Sequence, residues 1–130
     1  MPNQRMSGAV LFAKDVPRVA RFYEAILPMV VVHTEPDLIV LESEAFQLVV
    51  HGIPTQIAES IEITSPPARR TDMPTKLFFP VTSIAEARAK AGALGGGLNP
   101  KKKEFQARGI RACDGHDPEG NVVQFRENAL

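Results

Sequence analysis

The sequence carries one cysteine, Cys113, so no disulfide can form within the chain. That usage fits a reducing compartment, and it removes the covalent staples on which small secreted domains rely. An excess of either charge is also lacking, since fifteen Lys and Arg balance fifteen Asp and Glu. A nucleic-acid or anionic-membrane surface needs a basic excess, and the short run Lys101-Lys102-Lys103 is too small to supply one. No apolar run approaches the roughly 20 residues that span a bilayer. Met1 to Ser7 has no charged-then-apolar secretory pattern. A cytoplasmic protein with no nucleic-acid and no membrane partner is therefore expected. What remains is an ordinary globular composition, 44% hydrophobic and 23% charged over 130 residues. One domain of that size buries roughly two-thirds of the surface of its unfolded chain.

Periodicity divides the chain into two similar parts. Ala9 to Ala13 is a short apolar run of strand type. Asp15 is placed to cap a helix, with Pro17 in the first turn where its missing N–H costs nothing. Val16, Val19, Ala20, Tyr23 and Ile26 recur on one helical face, and Pro28 ends the helix. Val30 to His33, Leu38 to Leu41 and Phe46 to His51 read as strands, separated by turns at Glu35-Pro36-Asp37 and Ser43-Glu44-Ala45. From Gly52 to Pro74 the period is lost among prolines, with a short piece of order expected at Ile57 to Ile63. Lys76 to Val81 is then a strand. Ser83 and Glu86 have capping-box spacing, and Ile84, Ala87, Ala91 and Leu94 give an apolar helical face that stops at Gly95-Gly96-Gly97. A weak strand near Leu98 and a polar loop at Lys101 to Gln106 lead into a hairpin. Both parts read strand, helix, strand, strand, strand.

The hairpin turns at Asp117-Pro118-Glu119-Gly120. Pro118 pre-sets φ at the first central position, Asp117 can accept from the backbone ahead of it, and Gly120 tolerates positive φ at the exit. This Asp-Pro-Glu-Gly-Asn turn running into a last strand resembles the vicinal oxygen chelate superfamily, which includes glyoxalase I, bleomycin-resistance proteins and extradiol dioxygenases. Asp15 through Phe22-Tyr23 and Val81 through Leu94-Gly95-Gly96 carry the same resemblance, which covers nearly the whole chain. It implies an α+β fold of two tandem βαβββ modules, forming curved mixed sheets around a cleft. Module 1 would occupy about 7–51, a linker about 52–73 and module 2 about 74–127, in a single domain of residues 1–130. Relatives often pair, so a homodimer is implied too.

Alternation along strands separates two faces. Leu48, Val50, Val123 and Phe125 suit the helix-covered face. Val49, His51, Val122, Gln124 and Arg126 fall to the cleft, with Gly8, Val10 and Phe12 from the first strand and Lys76, Phe78 and Pro80 from the fifth. In metal-using relatives four cleft positions carry His or Glu. The resemblance places them at Gly8, Val49, Lys76 and Gln124, none of which is a good ligand for a divalent cation. No metal and no cofactor are expected. Two readings of His51 stand: a strand-end imidazole bonded to backbone, or a ligand-orienting donor or general base. His116 is expected to bond within its own loop near Asp114. Cys113 reads as a packing residue, with no fixed cation identifiable to stabilise a thiolate. Lys76 either reaches to water or presents a point charge to an anion. Phe12 and Phe78 either fill core or wall an apolar cleft.

The expected function is binding of a small organic ligand by Phe12, Val49, His51, Lys76, Phe78, Gln124 and Arg126, without a metal. An alternative is a lyase, isomerase or dioxygenase that uses a displaced metal site or acid–base chemistry at His51. A third reading is a structural or regulatory module whose cleft is filled by its own side chains.

Overall fold

The structure, a computed structural model, describes residues 6–129. The first unit runs β1 (Ser7–Ala13), α1 (Val16–Ile26), β2 (Val30–Glu35), β3 (Leu38–Glu42) and β4 (Phe46–Gly52). A connecting segment holds the one-turn helix α2 (Thr55–Ala58), shorter and earlier than the order expected at Ile57 to Ile63. The second unit runs β5 (Leu77–Pro80), α3 (Ile84–Ala93), β6 (Gly97–Leu98), β7 (Phe105–Ala107), β8 (Ile110–His116) and β9 (Val122–Asn128).

Two mixed sheets result, ordered β1-β4-β3-β2 and β5-β9-β8-β6, with β7 also paired to β8. In each unit the first strand lies parallel to the last, β1 on β4 and β5 on β9. The second unit has one strand more than its sequence pattern suggests. After Pro100, Lys101–Lys103 makes a turn of 3-10 helix, and Phe105–Ala107 then pairs with the start of β8 instead of staying a polar loop.

Both helices begin as their sequences dictate. The Asp15 carboxylate accepts from the Arg18 N–H at 3.1 Å, and the Ser83 hydroxyl oxygen accepts from the Glu86 N–H at 3.1 Å. The Ile84 N–H, free at the helix start, finds the Glu127 carboxylate of β9 at 3.4 Å. Helix α1 buries Phe22 as well as Val16, Val19, Ala20 and Tyr23, so its buried stripe is wider than one face. The reason is tertiary. Phe22 packs on Gly96 after α3, and the Tyr23 ring sits 5.9 Å from Phe79 of β5. One core therefore joins Leu41, Leu48 and Val50 of the first sheet to Phe79, Val123 and Phe125 of the second.

Candidate functional site

The turn that ends β8 is closely bonded. Asp117 is fully buried. One of its carboxylate oxygens accepts from the N–H groups of Glu119 (2.9 Å) and Asn121 (3.1 Å). The other accepts from the Asn121 side-chain amide (2.8 Å) and the Tyr23 hydroxyl (2.7 Å). Four donors offset the desolvation that would otherwise make a buried carboxylate costly. Burial, and then the charge and hydrogen bond of Asp117, hold the Tyr23 phenol well above its ordinary pKa. Glu119 faces the other unit, its carboxylate accepting from the backbone N–H of Lys14 (2.8 Å) and Asp15 (2.7 Å) where β1 enters α1. Gly120 has φ of 86°, and a Cβ there would stand 2.0 Å from the Ala68 carbonyl oxygen. The turn thus clamps the two units together. Sequence pattern had marked it only as a turn. The signal available for more was Tyr23, whose hydroxyl on a buried helical face has to find a partner.

The residues expected to bind a ligand fall in two groups, one on each sheet, and of these Gln124 is buried. On the first sheet, Val10 pairs with Val49 and Phe12 with His51. The Phe12 and His51 rings lie 5.6 Å apart, and Phe12 is 54% exposed. His51 Nδ1 lies 2.8 Å from the Gly52 carbonyl oxygen. Only a protonated Nδ1 can bond a carbonyl, so the neutral ring keeps its lone pair on Nε2.

On the second sheet a chain of contacts runs across three strands. Lys76, just before β5, meets Asp114 Oδ2 of β8 at 3.0 Å. The Gln124 amide of β9 donates to Asp114 Oδ1 at 3.1 Å, and its carbonyl oxygen accepts from Arg126 Nε at 2.7 Å. The Arg126 guanidinium then lies 3.5 Å over the Phe78 ring. Lys76, Phe78, Gln124 and Arg126 are thereby brought together, with Asp114 as the member that sequence reading missed. The hairpin register pairs Asp114 directly with Gln124, so the turn position held the information needed to find it. Among the described residues, no hydrogen bond or ring contact joins Phe12 and His51 to this second group.

Three expectations about single residues change. His116 does not bond within its own loop; its Nδ1 accepts from Arg69 Nε of the connecting segment at 2.9 Å, and Arg69 also donates to Asn99. Burial and the neighbouring Arg69 charge push the His116 pKa below its ordinary value. Cys113 is buried as expected, yet a cation does stand beside it, Arg88 at 3.6 Å. Burial outweighs that cation and pushes the thiol up, and the nearby Glu104 and Asp114 charges act in the same direction. Lys76 is spoken for by Asp114, which occupies the place an anionic ligand would take.

The four positions at which the resemblance puts metal ligands have these surroundings. A Cβ on Gly8 would meet the Gln47 carbonyl oxygen at 2.3 Å, so no ligating side chain fits there without a backbone shift. Val49 has no donor, and the Lys76 ammonium and the Gln124 amide both turn to Asp114. Among the described residues, no three His, Cys, Asp or Glu side chains cluster to hold an ion.

No family model matches this sequence, and no curated protein matches it either. Solved structures do. A glyoxalase/bleomycin resistance protein/dioxygenase family enzyme from Burkholderia phytofirmans PsJN superposes with a TM-score of 0.70 at 17% identity, over 94% of this chain and 97% of that one. The chain has the vicinal oxygen chelate fold. The bleomycin resistance determinant encoded on transposon Tn5 (TM-score 0.58, 16% identity, 96% and 98% covered) shares it. So does the fosfomycin resistance protein FosX from Mesorhizobium loti (TM-score 0.64, 10% identity, 100% and 96% covered). Within this fold no helix among the described residues is long and apolar enough to cross a membrane.

Proposed function

We propose that the protein binds a small organic molecule, without a metal, on the uncovered sheet faces of its vicinal oxygen chelate fold. The observation that carries this reading is the Arg126 guanidinium, held 3.5 Å over the Phe78 ring and bonded through Nε to Gln124. A side chain fixed by those two contacts is pre-oriented, so little further entropy is lost when its remaining N–H groups meet a ligand. Phe78, 56% exposed, offers an apolar shelf, and Phe12, Val49 and His51 offer a second one on the other sheet. The ligand has an apolar body and an anionic or hydrogen-bonding end. Lys76 contributes once Asp114 releases it. That two similar structures are resistance proteins named for bleomycin and fosfomycin supports a small organic molecule as the ligand class.

A homodimer belongs to the same proposal, since a second copy covers the exposed Phe12 and Phe78 and sets one sheet face against another. Light scattering on purified protein reports it directly. A cytoplasmic location is proposed on the single buried cysteine, which requires no oxidising compartment. The catalytic alternative, a lyase, isomerase or dioxygenase acting through His51 or a displaced metal, rests on one feature, the free Nε2 lone pair beside Phe12.

The test is a thermal-shift screen of small aromatic carboxylates on the parent protein and on Arg126→Met. The variant keeps the apolar stem over Phe78 and removes the charge, so its melting temperature stays close to the parent's. Anionic hits should weaken by about 1–3 kcal/mol, the scale of a hydrogen bond to a charged group. Hits that stabilise the variant as well as the parent would sink this reading.

A further inference from the structure

A cavity of about 500 Å³ opens where the two sheets meet, and of the second-sheet group above only Lys76 borders it. Strands β1 and β5 are each the outer strand of their sheet, so their unpaired edges border this slot, and the backbone N–H and C=O groups along them have no strand partner. Leu11, Tyr23, Leu77 and Val123 make an apolar floor. Arg70 and Asn121 stand at one end, where the connecting segment crosses the slot. Arg70 is held there by its own backbone and by Nε. Its N–H donates to the Gly120 carbonyl at 2.8 Å and its Nε to the Glu119 carbonyl at 3.2 Å. Both acceptors are neutral. Among the described residues Arg70 has no carboxylate partner, in contrast to Arg88, which meets Glu104.

We propose that this slot is a binding site for an amphipathic carboxylate, its chain on the apolar floor between β1 and β5 and its head group on the Arg70 guanidinium. The volume is within the range of about 300–1,000 Å³ usual for small-molecule sites. A guanidinium anchored at Nε leaves its two terminal nitrogens as a fork, the geometry that takes a carboxylate through paired hydrogen bonds. The floor cannot supply that polarity, since its only polar atom, the Tyr23 hydroxyl, is committed to Asp117. Lys76 also lines the slot, but its charge is paired with Asp114, so the Arg70 charge at one end and an apolar floor select a molecule with a single anionic terminus. Lys76 borders both this slot and the sheet-face group, but Arg126 and Phe78 do not line the slot, so the Arg126 and Arg70 variants separate the two sites.

Tyr23 is the only tyrosine in a chain with no tryptophan, so its emission reports events at this floor alone. Titration of the full chain with decanoate, below micelle formation, should change that emission, and decanol should bind about tenfold more weakly for want of the charge. Arg70→Met should lose about tenfold in decanoate affinity, whereas Arg126→Met should stay within about twofold of the parent. Val10→Phe, at the exposed mouth of the slot, should block decanoate while circular dichroism shows the fold intact, and it decides the matter should Arg70→Met not fold. No emission change with decanoate, equal affinity for decanol, or full decanoate affinity in Arg70→Met or Val10→Phe would each overturn the assignment. Loss with Arg126→Met instead would move the ligand to the sheet faces.

Discussion

The β8–β9 hairpin serves two regions that treat their charges in opposite ways. At its turn, Asp117 and Glu119 are buried, and every oxygen of their carboxylates accepts from a named donor. On its other face, the half-buried Asp114 and Arg126 and the buried Gln124 make a looser chain that reaches water at Lys76. The difference follows from burial. A charge taken out of water has to be fully satisfied or the unit opens, and the satisfied arrangement then tolerates almost no change. A half-exposed charge is satisfied by solvent whenever its protein partner leaves, so it can be spared for a ligand at little cost to the fold.

The sharpest way to break that comparison is Asp117→Ala. It strands the Tyr23 hydroxyl, two N–H groups and the Asn121 amide, and it should cost about 3–5 kcal/mol, the scale for removing one side of a buried charged network. Urea unfolding monitored by circular dichroism checks it, and a loss of less than about 1 kcal/mol would show that the turn does not hold the units together. Tyr23→Phe probes the same clamp from α1. It removes one of four donors and leaves the Asn121 amide on the same oxygen, so the expected loss is about 1–2 kcal/mol.

The smallest effect belongs to His116, which lies between the two extremes. Its folded pKa is lowered, first by burial and then by Arg69, so folding favours the neutral ring. The neutral ring is bound equally well at every pH above the ordinary value of 6.5, and the stability it contributes is lost as pH falls below that toward the folded value. His116→Gln keeps an acceptor for Arg69 but cannot protonate. Its melting temperature should therefore fall less than the parent's between about pH 7.5 and pH 5, by differential scanning fluorimetry. Parallel pH profiles for the two proteins would show that protonation of His116 is not felt by the fold.

Much of the fold was legible from local rules. The Asp15 and Ser83 caps, the Pro28 and Gly95 stops and the alternation of Leu48 and Val50 against Val49 and His51 all depend on neighbours within a few residues. The shared face of Gln124 and Arg126 was legible for the same reason, by alternation along one strand, whereas Lys76 and Phe78 reach them from β5 and the residue just before it. Asp114 escaped because attention to motif positions passed over the residue directly across from Gln124. β7 and the partner of His116 were not legible, because Phe105 pairs only after β8 exists and Arg69 arrives from a segment without periodicity.

The sequence by itself determined the order strand, helix, strands in each unit, the caps of the two long helices, and the alternation that sets Leu48 and Val50 on one face and Val49 and His51 on the other. These are properties of a residue and its near neighbours, and backbone sterics, capping and side-chain alternation settle them. Only the tertiary structure decided that Tyr23 meets Asp117 across 94 residues, that Glu119 holds the start of α1, that Asp114 claims Lys76, and that an open slot remains between β1 and β5. Those contacts are chosen when two apolar surfaces pack at one angle and not another, and that angle is a property of the whole core.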